Sequence, residues 1–600
     1  MPTPQMLEFQ RAMGFATYEA LYRWSIEEND KFWAALRQWA RLPAEVQAFN
    51  FAEELLRGLG PGPVLWIADE AGRRDVWTGT QLRQRVAAYQ SWLRERGCAP
   101  GDRVSAYLPN WPETLALMLA ATGLGAIWSS CSPDFGTAAV LDRFRQVNPR
   151  FLFSTGKYRF AGKEYALGER LAQLEAGLPQ LEALALVEDL STHTEAPGEF
   201  RPMPHWAPLF ILFSSGTTGL PKCIVHSAGG ALVQIVKELR LHVDVRAGEK
   251  LFYYTTCGWM MWNWLACGLA VGAQLVLYDG SPLYPGPGVL WEMAADWQVE
   301  HFGTSAKYLL LLEKSGYRPR EHHELEQLRQ VLSTGSPLLP HSFDFIATAI
   351  RPEAHIASIS GGTDILSCFV LGNPLRPVVR GEIQGAGLGM DVQVWNEQGE
   401  RVWDQPGELV CVNRFPSMPL GFWGDDSGEK YRAAYFEHFP GVEKQSIWRH
   451  GDWAQQNRTT DGFVIYGRSD ATLNPGGIRI GTAEIYRVLE GMDEIAESVC
   501  VGQAWQGDTR IVLFVKLREG AVWSDELVAN IKARLRAEAS PHHVPKVLLP
   551  VSDIPRTVNG KPSEAAVRDA VEGRPIRNAS ALANPESTKE FQGRPELLWG

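Results

Sequence analysis

The sequence predicts an α/β protein: a large N-terminal domain of α/β sheets, a β-rich subdomain and a small α+β C-terminal domain. Short apolar runs alternate with helix-period segments over residues 61–200, which is typical of a parallel sheet with crossover helices. The alternation resumes after residue 222, and short strand patterns dominate from about residue 385. A second, smaller αβ pattern follows residue 484, and the tail from residue 574 has little periodicity and is expected to be irregular.

The first 60 or so residues are predicted to form a helical extension of the large domain. Within residues 18–40, apolar side chains recur at spacings of three and four, with charges between them, at Phe32, Trp33, Leu36, Trp39 and Ala40. We interpret this aromatic stripe as core packing rather than as a ligand site.

Residues 214–222, Ser-Ser-Gly-Thr-Thr-Gly-Leu-Pro-Lys, directly follow an apolar strand pattern. Two glycines allow a ligand to approach the backbone, and the loop N–H groups and hydroxyls suit phosphate oxygens. Lys222 adds a positive charge. The segment is not a Walker A loop, because no glycine precedes the lysine. The alternative to a phosphate-binding loop is a polar Ser/Thr/Gly turn.

Two further Ser/Thr/Gly segments follow apolar strand patterns, at residues 333–337 and 358–364. Open α/β sheets bind ligands beyond the carboxyl ends of their strands. Three such strand ends in one chain favour a ligand site more strongly than any one alone. The bulky stretch at residues 257–264 is either core or the wall of a small pocket, and its composition favours core.

Composition argues against several classes of protein. The net charge of −11 disfavours a general nucleic-acid binder, which would show a basic face. The eight cysteines are scattered without C-x-x-C spacing, which favours reduced thiols in the cytoplasm. The N-terminus lacks the apolar region of a signal peptide. Residues 115–128 are apolar but shorter than the ~20 residues that span a bilayer. They predict a buried helix, and no membrane partner.

The motifs, in this order, resemble those of the adenylate-forming acyl-CoA synthetases. The matching segments cover nearly the whole chain and lie at residues 214–222, 335–337, 361–364, 450–453, 466–470 and 560–561. Residues 467–486, GRSDATLNPGGIRIGTAEIY, are most similar to the branch that activates acetate and acetoacetate. The resemblance implies an N-terminal domain of residues 1–469 and a mobile C-terminal domain of residues 470–600, with the hinge at Asp470.

The resemblance also implies a reaction in two halves, with ATP, Mg²⁺ and CoA as cofactors. A carboxylate attacks the α-phosphorus of ATP, giving an acyl-adenylate and pyrophosphate. The CoA thiol then attacks the acyl carbon and releases AMP. The implied acid is acetoacetate. The alternatives are another short acid, such as 3-hydroxybutyrate, a branched acid or acetate, and a catalytically silent nucleotide-binding protein.

Several motifs match the family's ATP contacts. The loop at 214–222 is expected to hold the β- and γ-phosphates, the turn at 335–337 to contact adenine, and Asp452 and Arg468 to contact ribose. Asp364 matches a glutamate that meets Mg²⁺, but it is one methylene shorter, so a bridging water is an alternative to direct coordination. The full expected set is Ser214, Ser215, Gly216, Thr217, Thr218, Gly219, Lys222, Gly335, Ser336, Pro337, Gly362, Thr363, Asp452, Arg468 and Arg479.

Lys561 matches the lysine that catalyses adenylation by offsetting the repulsion between carboxylate and phosphate. In the family, the small domain then turns about the hinge, a motion that concentrates dihedral change in a few residues. That turn removes the lysine and brings the residues matching Gly476 and Gly477 to the CoA tunnel.

The acyl pocket is expected at Trp259, Met260 and Gly361. Acetyl-CoA synthetases carry a tryptophan that closes the pocket behind the methyl group of acetate. Aligned on the Thr-acid pair, that tryptophan falls on Gly361 here, so we expect the glycine to open space beyond two carbons.

Overall fold

The computed structural model describes residues 3–214, 220–439, 447–469, 472–478, 480–490, 492–556, 562–576 and 582–598. Two compact units are present. The larger comprises Met1–Pro133, Phe144–Phe213 and Cys223–Tyr466, and the smaller comprises Asp134–Arg143, Ser214–Lys222 and Gly467–Gly600. The domain boundary at residues 469 and 470 stays a prediction, and Asp470 lies outside the described residues.

The N-terminal extension is helical, as its periodicity indicates. Its helices are α1 (Gln5–Ala12), α2 (Tyr18–Glu27), α3 (Asn29–Ala40) and α4 (Phe51–Leu56). Phe32 and Leu36 of α3 are fully buried and Trp33 nearly so. They belong to a core cluster that includes residues of the β-rich region. The aromatic stripe is therefore core packing.

The α/β alternation begins after α4. In chain order the elements are β1 (Pro63–Asp69), β2 (Arg74–Thr78), α5 (Gly79–Glu95), β3 (Arg103–Tyr107), α6 (Pro112–Gly123), β4 (Ile127–Cys131), α7 (Thr137–Val147), β5 (Phe151–Ser154), β6 (Lys157–Phe160), β7 (Lys163–Ala166), α8 (Gly168–Gly177) and β8 (Ala183–Leu186). The expected buried helix is α6, in which all but one residue is buried. Among the described residues, no helix combines the length and apolarity needed to cross a bilayer.

The alternation continues on both sides of the 214–222 loop. The elements are β9 (Pro208–Ser214), β10 (Lys222–Ser227), α9 (Ala228–Lys237), β11 (Lys250–Tyr253), α10 (Met260–Ala266), β12 (Gln274–Asp279), α11 (Val289–Asp296), β13 (His301–Ser305), α12 (Ala306–Ser315), β14 (Gln330–Thr334), α13 (Pro340–Phe345) and β15 (His355–Ser358).

The next stretch is rich in strands, as expected. Its elements are β16 (Ser360–Gly362), β17 (Ser367–Leu371), β18 (Gly385–Ala386), β19 (Val392–Trp395), β20 (Pro406–Cys411), β21 (Gly421–Phe422), α14 (Glu429–Tyr435), β22 (Trp448–Gln456) and β23 (Phe463–Arg468).

Two seven-stranded sheets organise the larger unit, in the orders β15-β14-β13-β11-β12-β1-β2 and β21-β10-β9-β4-β3-β5-β8. Apart from β9 and β10, whose connecting loop lies largely outside the described residues, neighbouring strands pair parallel except at one edge of each sheet, where β2 runs antiparallel to β1 and β21 runs antiparallel to β10. Smaller sheets have the orders β16-β17-β18 and β19-β20-β22-β23. Parallel strands need crossover connections, which α-helices supply here, so the predicted α/β architecture is confirmed.

The smaller unit carries the C-terminal αβ pattern. Its elements are α15 (Thr482–Glu490), β24 (Ile495–Trp505), β25 (Asp508–Leu517), α16 (Asp525–Arg534), β26 (Val547–Pro550) and α17 (Glu564–Val571). The three strands form one sheet in sequence order. The described part of the tail has only short 3-10 turns, yet Phe591 and Leu597 lie buried in this unit's core. The sequence of the tail, which lacks periodicity, gave no indication of this packing.

Candidate active site

Two of the predicted strand ends meet at one edge of a parallel sheet. Ser333 of β14 pairs with Ser358 of β15, so the segments beyond both strands emerge side by side. Thr334 Oγ1 donates a hydrogen bond of 2.8 Å to the carbonyl oxygen of Ile359. Gly335 has φ +92°, a conformation that favours glycine. The turn Gly335-Ser336-Pro337 is partly exposed beside the segment that carries Gly361, Gly362 and Thr363.

His450 connects this edge with Asp452. Both residues lie on β22, one on each side of Gly451. His450 Nε2 lies 3.1 Å from the carbonyl oxygen of Gly361 and 3.6 Å from Asp452 Oδ2. Trp448 Nε1 donates to His450 Nδ1 at 3.5 Å, so Nε2 is the nitrogen that carries a proton. The structure thus brings Asp452 close to the segment that carries Gly361 and Gly362.

Asp364 is held by an aromatic pair. Its carboxylate is 1% exposed, and Tyr435 Oη donates to Oδ1 at 2.5 Å. The Tyr435 ring stacks on Trp448 with centroids 3.8 Å apart. Tyr435 is separated from Asp364 by 71 positions, so no local motif marks it. The stacked pair thereby fixes the direction of the Asp364 carboxylate.

His226 supports the backbone next to Asp364. Its Nε2–H donates to the carbonyl oxygen of Thr363 at 2.9 Å. Burial lowers the pKa of His226 to about 4, although the Thr363 carbonyl and the Asp364 charge act in the opposite direction. The imidazole is therefore neutral near pH 7 and serves as a fixed donor.

The expected acyl-pocket residues lie at the start of α10. Trp259 is its N-cap residue and is half-buried, whereas Met260 is 4% exposed. The Tyr253 ring makes edge contacts with Trp259 and Trp264. Most of the stretch at residues 257–264 is core. Trp259 is half-buried, whereas Trp262 and Trp264 are fully buried.

Glu238 ties α10 to β17. The carboxylate accepts hydrogen bonds from Trp264 Nε1 at 2.8 Å and from the backbone N–H of Cys368 at 3.1 Å, and also from the Ser367 hydroxyl. Cys368 pairs with Gly361 in the β16–β17 ladder. One buried carboxylate therefore positions both predicted walls of the acyl pocket. Sequence reasoning missed Glu238, because adjacent Lys and Glu residues usually lie on an exposed helix face.

Of the remaining predicted residues, some lie at the ends of strands and the others lie outside the described residues. Ser214 ends β9, where it is buried, and Lys222 begins β10, where it is partly buried. Arg468 ends β23. Residues predicted to contact ligand but outside the described residues are Ser215, Gly216, Thr217, Thr218, Gly219, Arg479 and Lys561.

The glycine turn of the smaller unit has the backbone that its sequence predicts. Gly476 and Gly477 have φ +62° and +81°, conformations that L side chains rarely adopt. The backbone N–H of Gly476 donates to Asp508 Oδ1 at 2.9 Å, which anchors the turn to β25.

Comparison with known proteins assigns the chain to a family. Residues 63–423 match the model of the AMP-binding enzymes, and residues 484–561 match that of the AMP-binding enzyme C-terminal domain. An acetoacetyl-coenzyme A synthetase from Rhizobium meliloti (strain 1021) is 49% identical, over 97% of this chain and 94% of its own. The chain belongs to the acetoacetyl-CoA synthetase family of AMP-binding enzymes.

Other members extend the comparison. The structure of an acetoacetyl-CoA synthetase from Streptomyces lividans superposes with a TM-score of 0.75 at 38% identity, covering 98% of this chain and 97% of that one. A malonamoyl-CoA synthetase from Penicillium aethiopicum is 38% identical over 96% of this chain and 88% of its own. The predicted family, fold class and AMP-forming acyl-CoA ligase chemistry are thereby confirmed. The roles of individual residues stay predictions.

Within this acetoacetyl-CoA synthetase fold, Gly361 makes room for a neighbouring strand. A Cβ atom at Gly361 would lie 2.0 Å from the carbonyl oxygen of Ser367 and 2.6 Å from the Cα of Cys368. Tryptophan at this position would displace β17 rather than simply fill the pocket. The role of Gly361 in opening the acyl pocket stays a prediction, and a Gly361→Trp variant cannot test it cleanly.

We expect Gly361→Ala to destabilise the protein by about 1–3 kcal/mol, because the clash is with backbone that no rotamer change relieves. Gly362→Ala is the matched control, since a Cβ there meets its nearest atom, on His450, at 3.4 Å. Chemical denaturation of both variants measures the difference. Equal midpoints would show that β16 and β17 separate at little cost.

Proposed function

We propose that this chain is an acid–thiol ligase that joins acetoacetate to CoA, cleaving ATP to AMP and pyrophosphate. The observation that carries the proposal is the near-full-length similarity to acetoacetyl-CoA synthetases, together with two of the motif segments, at residues 335–337 and 361–364, beyond the adjacent strand ends of β14 and β15. ATP and CoA are the substrates that this class of enzyme shares.

In the first half-reaction, a carboxylate oxygen of the acid bonds to the α-phosphorus of ATP, and the bond to the pyrophosphate oxygen breaks. The enzyme supplies no nucleophile, so positioning and electrostatics carry the catalysis. We assign ribose binding to Asp452, whose carboxylate can accept from two hydroxyls and is oriented beside His450. The turn at Gly335 would contact the base, and the 214–222 loop the phosphates.

Among the described residues, Asp364 fits a role as a carboxylate ligand of Mg²⁺. Among the described residues, no group of three or more His, Cys, Asp or Glu side chains could hold a metal ion. Mg²⁺ in nucleotide sites is usually held by one or two carboxylates together with phosphates and waters. Asp364, with one carboxylate oxygen engaged by Tyr435, fits that pattern. When bound, the ion would neutralise phosphate charge.

In the second half-reaction, the CoA sulfur bonds to the acyl carbon, and the bond between that carbon and the AMP phosphate oxygen breaks. We assign the pantetheine tunnel to Gly476 and Gly477 by their family match. Catalysis of the first half-reaction is assigned to Lys561.

A second candidate substrate is malonamate. The malonamoyl-CoA synthetase relative favours it, because a malonamoyl and an acetoacetyl group both carry a carbonyl at carbon 3. The second candidate differs from the first in the acid that is activated, and the two half-reactions are the same.

CoA-dependent AMP release with a panel of acids tests the proposal. The panel is acetoacetate, malonamate, 3-hydroxybutyrate, butyrate and acetate. We expect the highest kcat/KM with acetoacetate. A higher value with malonamate would select the second candidate, and nucleotide binding without pyrophosphate exchange on any acid would contradict both.

We expect Gly477→Leu to block thioester formation while acid-dependent pyrophosphate exchange continues, because a side chain would fill the tunnel. The positive φ at this position adds backbone strain to any substitution. Gly520→Leu is the matched control, since Gly520 has φ +87° in the same unit and a Cβ there would meet no atom within 4 Å. Loss of thioester formation in both variants would show that strain, rather than tunnel obstruction, is responsible.

A cytoplasmic location is also proposed. All eight cysteines are buried thiols, which suits a reducing compartment.

A further inference from the structure

Asn263 on α10 is a buried amide to which no described residue forms a hydrogen bond. The residue is 1% exposed, and neither Nδ2 nor Oδ1 has a hydrogen-bond partner within the part of the chain that the structure describes. Buried polar groups are nearly always hydrogen-bonded, because an unsatisfied one loses its hydration without compensation. An amide with both ends unsatisfied therefore indicates a partner that binds separately.

Helical spacing places Asn263 at the predicted acyl pocket. It follows Trp259 by four positions and Met260 by three, so it lies between them on the same side of α10, one turn further along. These are the two residues of α10 that match the family's acyl-pocket segment.

The other polar groups of α10 are already engaged. Trp262 Nε1 donates to Asn110 Oδ1 at 3.0 Å. Trp264 Nε1 donates to Glu238 Oε2 at 2.8 Å. The same Glu238 carboxylate accepts from the backbone N–H of Cys368 on β17, the residue paired with Gly361 of β16, so Glu238 connects α10 with the β16–β17 ladder. Within the described part of the chain, Asn263 is thus the polar side chain of α10 that has no hydrogen-bond partner.

We propose that Asn263 is a specificity-determining residue whose Nδ2–H donates a hydrogen bond to the carbonyl oxygen at carbon 3 of the acyl substrate. This inference rests on the proposed function and names the group that would recognise the acid. The neighbouring side chains Met260, Met261 and Trp262 are all buried. In such apolar surroundings a single hydrogen bond is stronger than in water, and its absence costs more. An acid lacking the 3-carbonyl would leave the amide unpaired and bind less well.

The ratio of kcat/KM for acetoacetate to that for butyrate tests the proposal. The two acids have the same four-carbon chain and differ in the 3-carbonyl group. We expect Asn263→Leu to lower this ratio about 10- to 100-fold, the range expected when a buried hydrogen bond is lost. Leu265→Met is the control for general disturbance of α10, since Leu265 is buried on the opposite side of the helix.

Thermal stability gives a second readout. Because no described residue hydrogen-bonds to the amide, Asn263→Leu should melt no lower than the wild type, whereas loss of an amide with a structural role would lower the melting temperature. Asn263→Ala is the alternative if leucine is too bulky. Failure of both variants to fold would overturn the inference.

The outcomes separate the inference from the proposed function. A wild-type enzyme that does not prefer acetoacetate to butyrate would overturn both. A wild-type preference that persists unchanged in folded Asn263→Leu or Asn263→Ala protein would overturn the inference alone.

Discussion

Lys561→Ala is expected to slow adenylate formation about a thousand-fold and to leave thioester formation from supplied acyl-adenylate nearly unchanged. The attacking carboxylate and the α-phosphate are both negative, so their approach is repelled. Two unit charges ~4 Å apart interact by about 4 kcal/mol at an effective dielectric near 20. Each ~1.4 kcal/mol of barrier is worth a factor of ten, which gives the thousand-fold estimate.

Two assays separate the half-reactions. Acid-dependent pyrophosphate exchange reports adenylation, and CoA-dependent AMP release from synthetic acetoacetyl-adenylate reports thioester formation. Lys546→Ala is the matched control, because Lys546 is an exposed lysine of the same unit. Equal loss in both assays for Lys561→Ala would show that the lysine acts throughout the cycle or in folding.

The sequence was sufficient to predict the α/β fold and the strand ends at which the candidate site lies. Apolar strand patterns followed by Ser/Thr/Gly segments locate the carboxyl ends of β14 and β15, and parallel pairing places those ends together. Because these signals are local in the chain, a single sequence reveals them.

The contacts that fix the site were not predictable, because they join residues far apart in the chain. His450 reaches the Gly361 carbonyl across 89 positions, and His226 reaches the Thr363 carbonyl across 137. The direction of the missing Cβ at Gly361 depends on its pairing with β17, which a motif alignment does not contain. The motifs supply the predicted ligand-contacting residues, and the structure adds the residues that hold the described ones in place.

The buried Lys237–Glu238 pair illustrates the same limit and leads to a large expected effect. Both side chains are 0% exposed, with Lys237 Nζ 3.7 Å from Glu238 Oε1. Burial lowers the pKa of Lys237, while the neighbouring carboxylate acts in the opposite direction. Glu238 also accepts hydrogen bonds from Trp264, Ser367 and Cys368. Lys237 Nζ also lies 3.9 Å from Met390 Sδ.

Glu238→Ala is therefore expected to destabilise the larger unit by about 3–5 kcal/mol, because it leaves a buried ammonium and three buried donors without their acceptor. Lys237→Met should cost far less, since Glu238 keeps its three donors and an apolar chain of similar length replaces the cation. Chemical denaturation followed by tryptophan fluorescence measures both. Equal losses would show that attraction between the two charges, rather than the donors converging on Glu238, holds α10 against β17.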